Sequence, residues 1–124
     1  MLKMLTVLAI GVPEEITNVC AHFGRTEVIL EEAMSHASAI DKISRTDFDL
    51  IIVNDALDAG APSVIKTAKE HNAATRIICM SHDPITRDAM KKEGCHSVAH
   101  PDRTSNAILA QLKWLVKHKP RPKE

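Results

Sequence analysis

The chain has 124 residues, with 16 basic and 16 acidic side chains and therefore no formal net charge. This length predicts one domain, and a hydrophobic content of 44% is enough for a core without disulfide staples. Aromatic residues make up only 2% of the chain, which argues against nucleic-acid binding by base stacking. No apolar run reaches the length of about 18 residues that a membrane span needs. We therefore expect a cytoplasmic protein that binds neither nucleic acid nor membrane.

Apolar runs and helical stripes predict the elements in chain order. Strands are predicted at 4–10, 26–30, 49–54, 76–80 and 95–99. Helices are predicted at 13–23, 31–45, 62–72, 84–93 and 103–118. In the second helix the apolar face should include Ala37 and Ile40. The third strand is a β-branched apolar run, which is typical of a parallel strand covered by helices on both faces.

Five successive strand–helix units predict an α/β fold with a parallel sheet and helices on both faces. Right-handed crossovers favour the flavodoxin-like three-layer sandwich, with five strands in the order 2-1-3-4-5 and five helices. The domain should cover 1–118, and 119–124 is a basic, proline-containing tail that we expect to be disordered. Its role stays open between a solvated helix end and a contact with a polyanion or an acidic partner.

The third strand ends in Asn54, at the sheet edge where ligands of open α/β folds bind. The run 49–54 resembles the third strand of a bacterial response-regulator receiver domain, the CheY-like family, and the resemblance covers about 4–116 of the chain. Ser81, after the fourth strand, resembles the family's Thr or Ser switch residue. His100 and Pro101 stand where the family has a Lys-Pro pair.

The resemblance implies a phosphorylated aspartate at position 54, an acidic pair after the first strand and a lysine at position 100. The sequence has Asn54, then Ile-Gly-Val at 10–12, and His100 instead. An amide is not a phosphoryl acceptor, and magnesium needs several oxygen ligands. The sequence thus predicts a degenerate pseudo-receiver, which is not an enzyme and has no cofactor.

As a pseudo-receiver, the chain should act in signal transduction as a phosphorylation-independent protein-interaction module. The resemblance implies that its partner is another signalling protein, which binds the face of the fourth helix, fifth strand and fifth helix. A homodimer stays open.

An alternative function is that of a working response regulator in a phosphorelay, phosphorylated at Asp55 with Mg²⁺ bound. Because side chains of a strand alternate between faces, Asp55 would need a one-residue bulge to replace Asn54.

A further alternative is a small-ligand or metal site at the same sheet edge, where His82 and His100 follow two strands. Two imidazoles beside Asp55 would also give a pH response. Neither Cys79 nor Cys95 lies in a zinc-binding spacing. The odd number of cysteines predicts reduced thiols, and Cys79, inside a strand, should be a small buried apolar residue.

Overall fold

The structure is a computed structural model, and it describes residues 4–12, 14, 18, 27–54, 61–81, 83–95, 97–99 and 104–118. Its strands are β1 (Met4–Ile10), β2 (Glu27–Ala33), β3 (Leu50–Asn54), β4 (Arg76–Met80) and β5 (Ser97–Ala99). The helices among these residues are α1 (His36–Arg45), α2 (Ala61–His71), α3 (Pro84–Lys92) and α4 (Thr104–His118). Of the predicted first helix only Glu14 and Asn18 are described, and both are helical. The predicted tail, 119–124, lies outside the described residues.

The five strands form one parallel sheet in the order β2-β1-β3-β4-β5. The predicted flavodoxin-like order 2-1-3-4-5 is therefore confirmed. β3 lies at the centre, where Val53 pairs with Ile10 of β1 and with Cys79 of β4. This pairing brings the carboxyl ends of β1, β3 and β4 to one edge of the sheet, which we call the carboxyl edge.

Both faces of β3 are buried, which explains its unbroken apolar sequence. Ile51 and Val53 pack on one face against residues of α1, α2 and α3. Leu50 and Ile52 pack on the other face, which α4 covers. The buried residues of this second face are Leu5, Val7, Leu50, Ile52, Ile78, Met80, Ile108, Leu112 and Leu115. The alternation of a strand thus distributes one apolar run between two cores.

The predicted boundary between the second strand and the second helix was wrong. β2 continues to Ala33, because it pairs with β1 along its whole length and Ala33 lies opposite Ile10. β2 is an edge strand, and edge strands tolerate charged side chains. Glu32 is accordingly exposed within the strand rather than in the first turn of a helix.

α1 begins only at His36, after Ser35, whose hydroxyl accepts a hydrogen bond from the Ser38 backbone N–H at 3.1 Å. A serine in this position satisfies an N–H group that has no partner within the helix. The buried residues of α1 are His36, Ala39 and Ile43. Ala37, predicted to face the core, is exposed.

Arg76 of β4 contacts two side chains of α4. Its guanidinium carbon lies 4.1 Å from the centre of the Trp114 ring, and its Nε donates to Oε1 of Gln111 at 2.7 Å. A cation over an indole face is held by the negative potential of the ring. β4 and α4 are therefore joined by polar contacts as well as by their shared core. No helix within the described parts of the chain is both long and apolar enough to cross a membrane.

Candidate functional site at the carboxyl edge

Two of the predicted site residues lie together at the carboxyl edge. Asn54 is the last residue of β3 and pairs with Met80, the last residue of β4. Ser81 follows Met80 directly, so that it extends from the neighbouring strand at the same edge. The sequence prediction placed Asn54 and Ser81 correctly relative to the strands, because the ends of parallel strands coincide.

The side chain of Asn54 is engaged by the turn after β1. Its Nδ2 donates to the backbone carbonyl of Gly11 at 2.8 Å. Gly11 has a φ of 62°, a conformation that a residue with a Cβ adopts only under strain. Its backbone N–H donates in turn to the carbonyl of Ala33 at 2.9 Å. The turn is thus held on one side by β2 and on the other by the Asn54 amide.

The amide side chain limits what position 54 can do chemically. A phosphoacceptor position needs an ionised oxygen that can attack phosphorus, whereas Asn54 presents an amide N–H₂ to a carbonyl oxygen. An ionised carboxylate in the same place would direct negative charge at the Gly11 carbonyl. The hydrogen bond therefore suits asparagine and opposes aspartate.

Ser81 is engaged with the start of α3. Ser81 is only 7% exposed, and its hydroxyl accepts from the backbone N–H of Asp83 at 3.2 Å. Its carbonyl accepts from the Arg87 guanidinium at 2.9 Å. Ser81 therefore connects the end of β4 to the first turns of α3.

The helix that follows Ser81 is capped by Asp83. Its carboxylate accepts from the Thr86 hydroxyl at 2.7 Å and from the Ile85 backbone N–H at 3.2 Å. These two hydrogen bonds, the Thr86 one foremost, lower the pKa of Asp83 from its ordinary value of 3.8. Asp83 follows the end of β4 by only three residues, but its carboxylate acts as a helix cap.

The residues at the end of β1 do not fit a magnesium ion. Magnesium prefers carboxylate oxygens in octahedral geometry, but Ile10, Gly11 and Val12 carry no carboxylate, and Asn54 has only a neutral amide. Across the described part of the chain, no three His, Cys, Asp or Glu side chains cluster as metal ligands. The other proposed site residues, Asp55, His82 and His100, lie outside the described residues.

The acidic residue at the start of the third predicted strand has a different role. Asp49 lies at the opposite edge of the sheet, where its Oδ2 accepts from the Thr6 backbone N–H at 2.8 Å and from the Thr6 hydroxyl at 3.2 Å. The Asp49 N–H donates back to the Thr6 carbonyl at 2.9 Å. This exchange of hydrogen bonds fixes the start of β3 against β1. Sequence reasoning missed it, since a contact across 43 residues depends on strand register.

A second contact that the sequence did not predict joins two cysteines. Cys79 is fully buried in β4, as predicted for a small apolar residue. Its Sγ, however, lies 2.9 Å from the Sγ of Cys95, which precedes β5 by two residues. The adjacency of β4 and β5 brings these side chains together, and no spacing rule in the sequence would have indicated it.

No protein-family model matches the chain, and no curated protein sequence is significantly similar to it. Solved structures are similar in fold. A two-component response regulator of Clostridium difficile has a TM-score of 0.77 at 16% identity, with 94% of this chain and 99% of that chain covered. A receiver domain of a Pseudomonas aeruginosa sensor histidine kinase, crystallised with magnesium in its active-site cleft, has a TM-score of 0.75 at 11% identity, covering 91% and 98%.

A protein ascribed to pilus assembly in Burkholderia thailandensis is also similar, with a TM-score of 0.65 at 14% identity and coverage of 91% and 99%. At such low identities the likeness concerns the backbone alone. The chain therefore has the CheY-like receiver fold, as the sequence predicted.

Proposed function

We propose that this chain is a receiver-like module of signal transduction that binds a partner protein without being phosphorylated. The observation that carries the proposal is the hydrogen bond from Asn54 Nδ2 to the Gly11 carbonyl. Through this bond, the side chain at the acceptor position of the receiver family holds the turn after β1. In this proposal the chain catalyses no phosphoryl transfer and needs no metal.

The proposal is supported by the sequence, which lacks three chemical groups at the positions where the receiver family has them. The nucleophile, the acidic pair and the lysine are replaced by Asn54, by Ile-Gly-Val at 10–12 and by His100. Phosphoryl transfer to a side chain depends on positioning and on charge neutralisation by a metal and a cation. The loss of one group alone could be an isolated exception. A binding module without phosphoryl chemistry explains the loss of all three.

The partner that we propose is another signalling protein, which docks on the face made by α3, β5 and α4. These helices are the fourth and fifth of the sequence prediction. Two large apolar side chains are exposed on its helices, Ile85 on α3 at 79% and Trp114 on α4 at 42%. Apolar and aromatic side chains are enriched at protein interfaces. A second copy of the chain remains an alternative occupant of this face, and we propose no nucleic acid or membrane as a partner.

The decisive experiment is treatment of the full chain with Mg²⁺ and either acetyl phosphate or beryllofluoride. Amide NMR spectra should stay unchanged, and the intact mass should show no added phosphoryl group. The same treatment of Asp55→Ala tests the alternative acceptor. A magnesium-dependent shift of amides in the wild type, or a phosphoryl adduct that Asp55→Ala abolishes, would overturn the proposal and establish a working response regulator.

A further inference from the structure

Cys79 and Cys95 are placed for direct reaction with each other. Their sulfur atoms are 2.9 Å apart, and the Cys95 thiol also donates to the carbonyl of Ile77 at 3.3 Å. A disulfide bond is about 2.0 Å long, so the sulfurs need to approach by only about 0.9 Å. β4 and the segment entering β5 already lie side by side, and the backbone pairing of Cys79 with Val98 holds them there.

The two cysteines differ in their access to solvent. Cys79 is fully buried, whereas Cys95 is half-buried at the margin of the α1–α3 core. A small reagent can therefore reach Cys95 first. Cys79 is protected from the reagent but remains in contact with the Cys95 sulfur, which is the position of a resolving thiol.

A basic side chain, Lys69, interacts electrostatically with Cys95. Burial and the nearby Arg76 charge lower the pKa of Lys69, and the negative charge of ionised Cys95 opposes them. The Lys69 side chain is therefore within electrostatic reach of Cys95, and basic side chains are typical neighbours of reactive thiols.

Lys69 is held in place beside Cys95. Its Nζ donates to the carbonyls of Thr75 at 2.6 Å and Ala73 at 3.1 Å. The neighbour of Cys95, Gly94, has a φ of 102°, and a Cβ there would lie 3.2 Å from Cγ of Lys69. The glycine thus lets the lysine stem pass close to the backbone that carries Cys95.

We propose that Cys79 and Cys95 are a redox modification site, which forms a reversible intramolecular disulfide by exchange with a low-molecular-weight disulfide. The Cys95 thiolate attacks one sulfur of the reagent and displaces a first thiolate. Cys79 then attacks the Cys95 sulfur of this mixed disulfide and displaces a second thiolate. The two cysteines lose two electrons and two protons, and the reagent is reduced to two thiols.

The bond would couple oxidation to the proposed binding face. It joins the carboxyl-terminal half of β4 to the entry of β5, across 16 positions of sequence that include all of α3. Cys79 also lies two residues before Ser81, which contacts α3. Oxidation would therefore restrict the movement of α3 and of the start of β5 relative to the sheet.

The test is incubation of the folded, reduced chain with glutathione disulfide, followed by alkylation and peptide mapping without reductant. Trypsin releases Cys79 in peptide 77–87, Cys95 in 93–103 and Cys20 in 4–25. The expected product is 77–87 joined to 93–103, with a mass loss of about 2 Da in the chain that dithiothreitol reverses.

Two variants serve as controls. Cys20→Ala should leave the cross-link intact, and Cys95→Ala should abolish it and leave Cys79 unmodified by glutathione. The wild-type peptide map decides the matter even if a variant fails to fold. A stable glutathione adduct on Cys95 without the cross-link, a cross-link through Cys20, or two unchanged thiols would each refute the proposal.

Discussion

Replacing Asn54 by Asp tests the central contact of the candidate site with the smallest change of shape. In the folded protein, the amide nitrogen that donates to Gly11 at 2.8 Å is replaced by an oxygen that can only accept when ionised. Two acceptors then face each other. Although this substitution restores the acceptor residue of the family that the chain resembles, we expect it to destabilise the fold.

The size of the effect follows from the hydrogen bond and its exposure. Loss of the bond costs about 0.5–1.5 kcal/mol, and facing acceptors add to this cost. Asn54 and Gly11 are only partly buried, so water compensates in part. We therefore expect a loss of about 1–2 kcal/mol in the free energy of unfolding, and a melting temperature lower by roughly 4–10 °C for a domain of this size.

The same reasoning fixes the sign of the pH dependence. A protonated carboxyl can donate to Gly11, so the folded state should raise the pKa of the introduced Asp above its unfolded value. A raised carboxyl pKa means that stability falls as the pH rises through this interval. The variant should therefore come closest to the wild type below about pH 4.

Urea denaturation of the wild type and of two asparagine variants measures the effect. Asn72→Asp is the matched control, because Oδ1 of Asn72 accepts from the Ala74 N–H at 3.0 Å and a carboxylate keeps that acceptor. Asn72→Asp should cost only about 0.5 kcal/mol, owing to its place at the C-terminus of α2. If Asn54→Asp is as stable as the wild type, or if the two variants lose equal stability, the role assigned to the Asn54 amide is wrong.

Two further predictions concern carboxylates with structural roles. Asp49→Ala should cost about 1–3 kcal/mol in the free energy of unfolding by urea, since the Thr6 N–H loses its acceptor, while the Thr6 hydroxyl keeps the Asp47 carbonyl at 3.2 Å. Asp49→Asn, which keeps one acceptor oxygen, should retain most of this stability, and equal losses would contradict the assignment. The lowered pKa of Asp83 means that its stabilising contribution is present above its ordinary value of 3.8 and is lost as the pH falls through the folded value. Thermal melts in acid should thus show a smaller pH dependence for Asp83→Asn, and an unchanged dependence would refute the capping role.

The fold was predictable from the sequence where burial is simplest. β3 and β4 have apolar sequences because helices cover both of their faces, and their bounds were predicted to within one residue. β2 was harder, since an edge strand keeps one face in solvent and its Glu31 and Glu32 are as compatible with a helix as with a strand. Only its pairing with β1 up to Ala33 decides between them.

The placement of Asn54 and Ser81 at the ends of their strands was predictable, but their contacts were not. Asn54 and Ser81 follow from the rule that sites form beyond the carboxyl ends of parallel strands. The bond between Asn54 and Gly11 depends on the register of β1 against β3 and on a turn with positive φ. The contact between Cys79 and Cys95 likewise depends on the way β5 begins beside β4. Such details are set by packing across the sheet, which a linear pattern does not record.

The Arg76–Trp114 contact has a practical consequence. Trp114 is the only tryptophan, and the chain has no tyrosine, so near-ultraviolet absorbance and fluorescence come almost wholly from one ring. Trp114 belongs to α4, a helix of the proposed binding face, and its ring contacts the Arg76 side chain of β4. Its emission will report the docking of α4 on the sheet, and the arrival of any partner there, without a label.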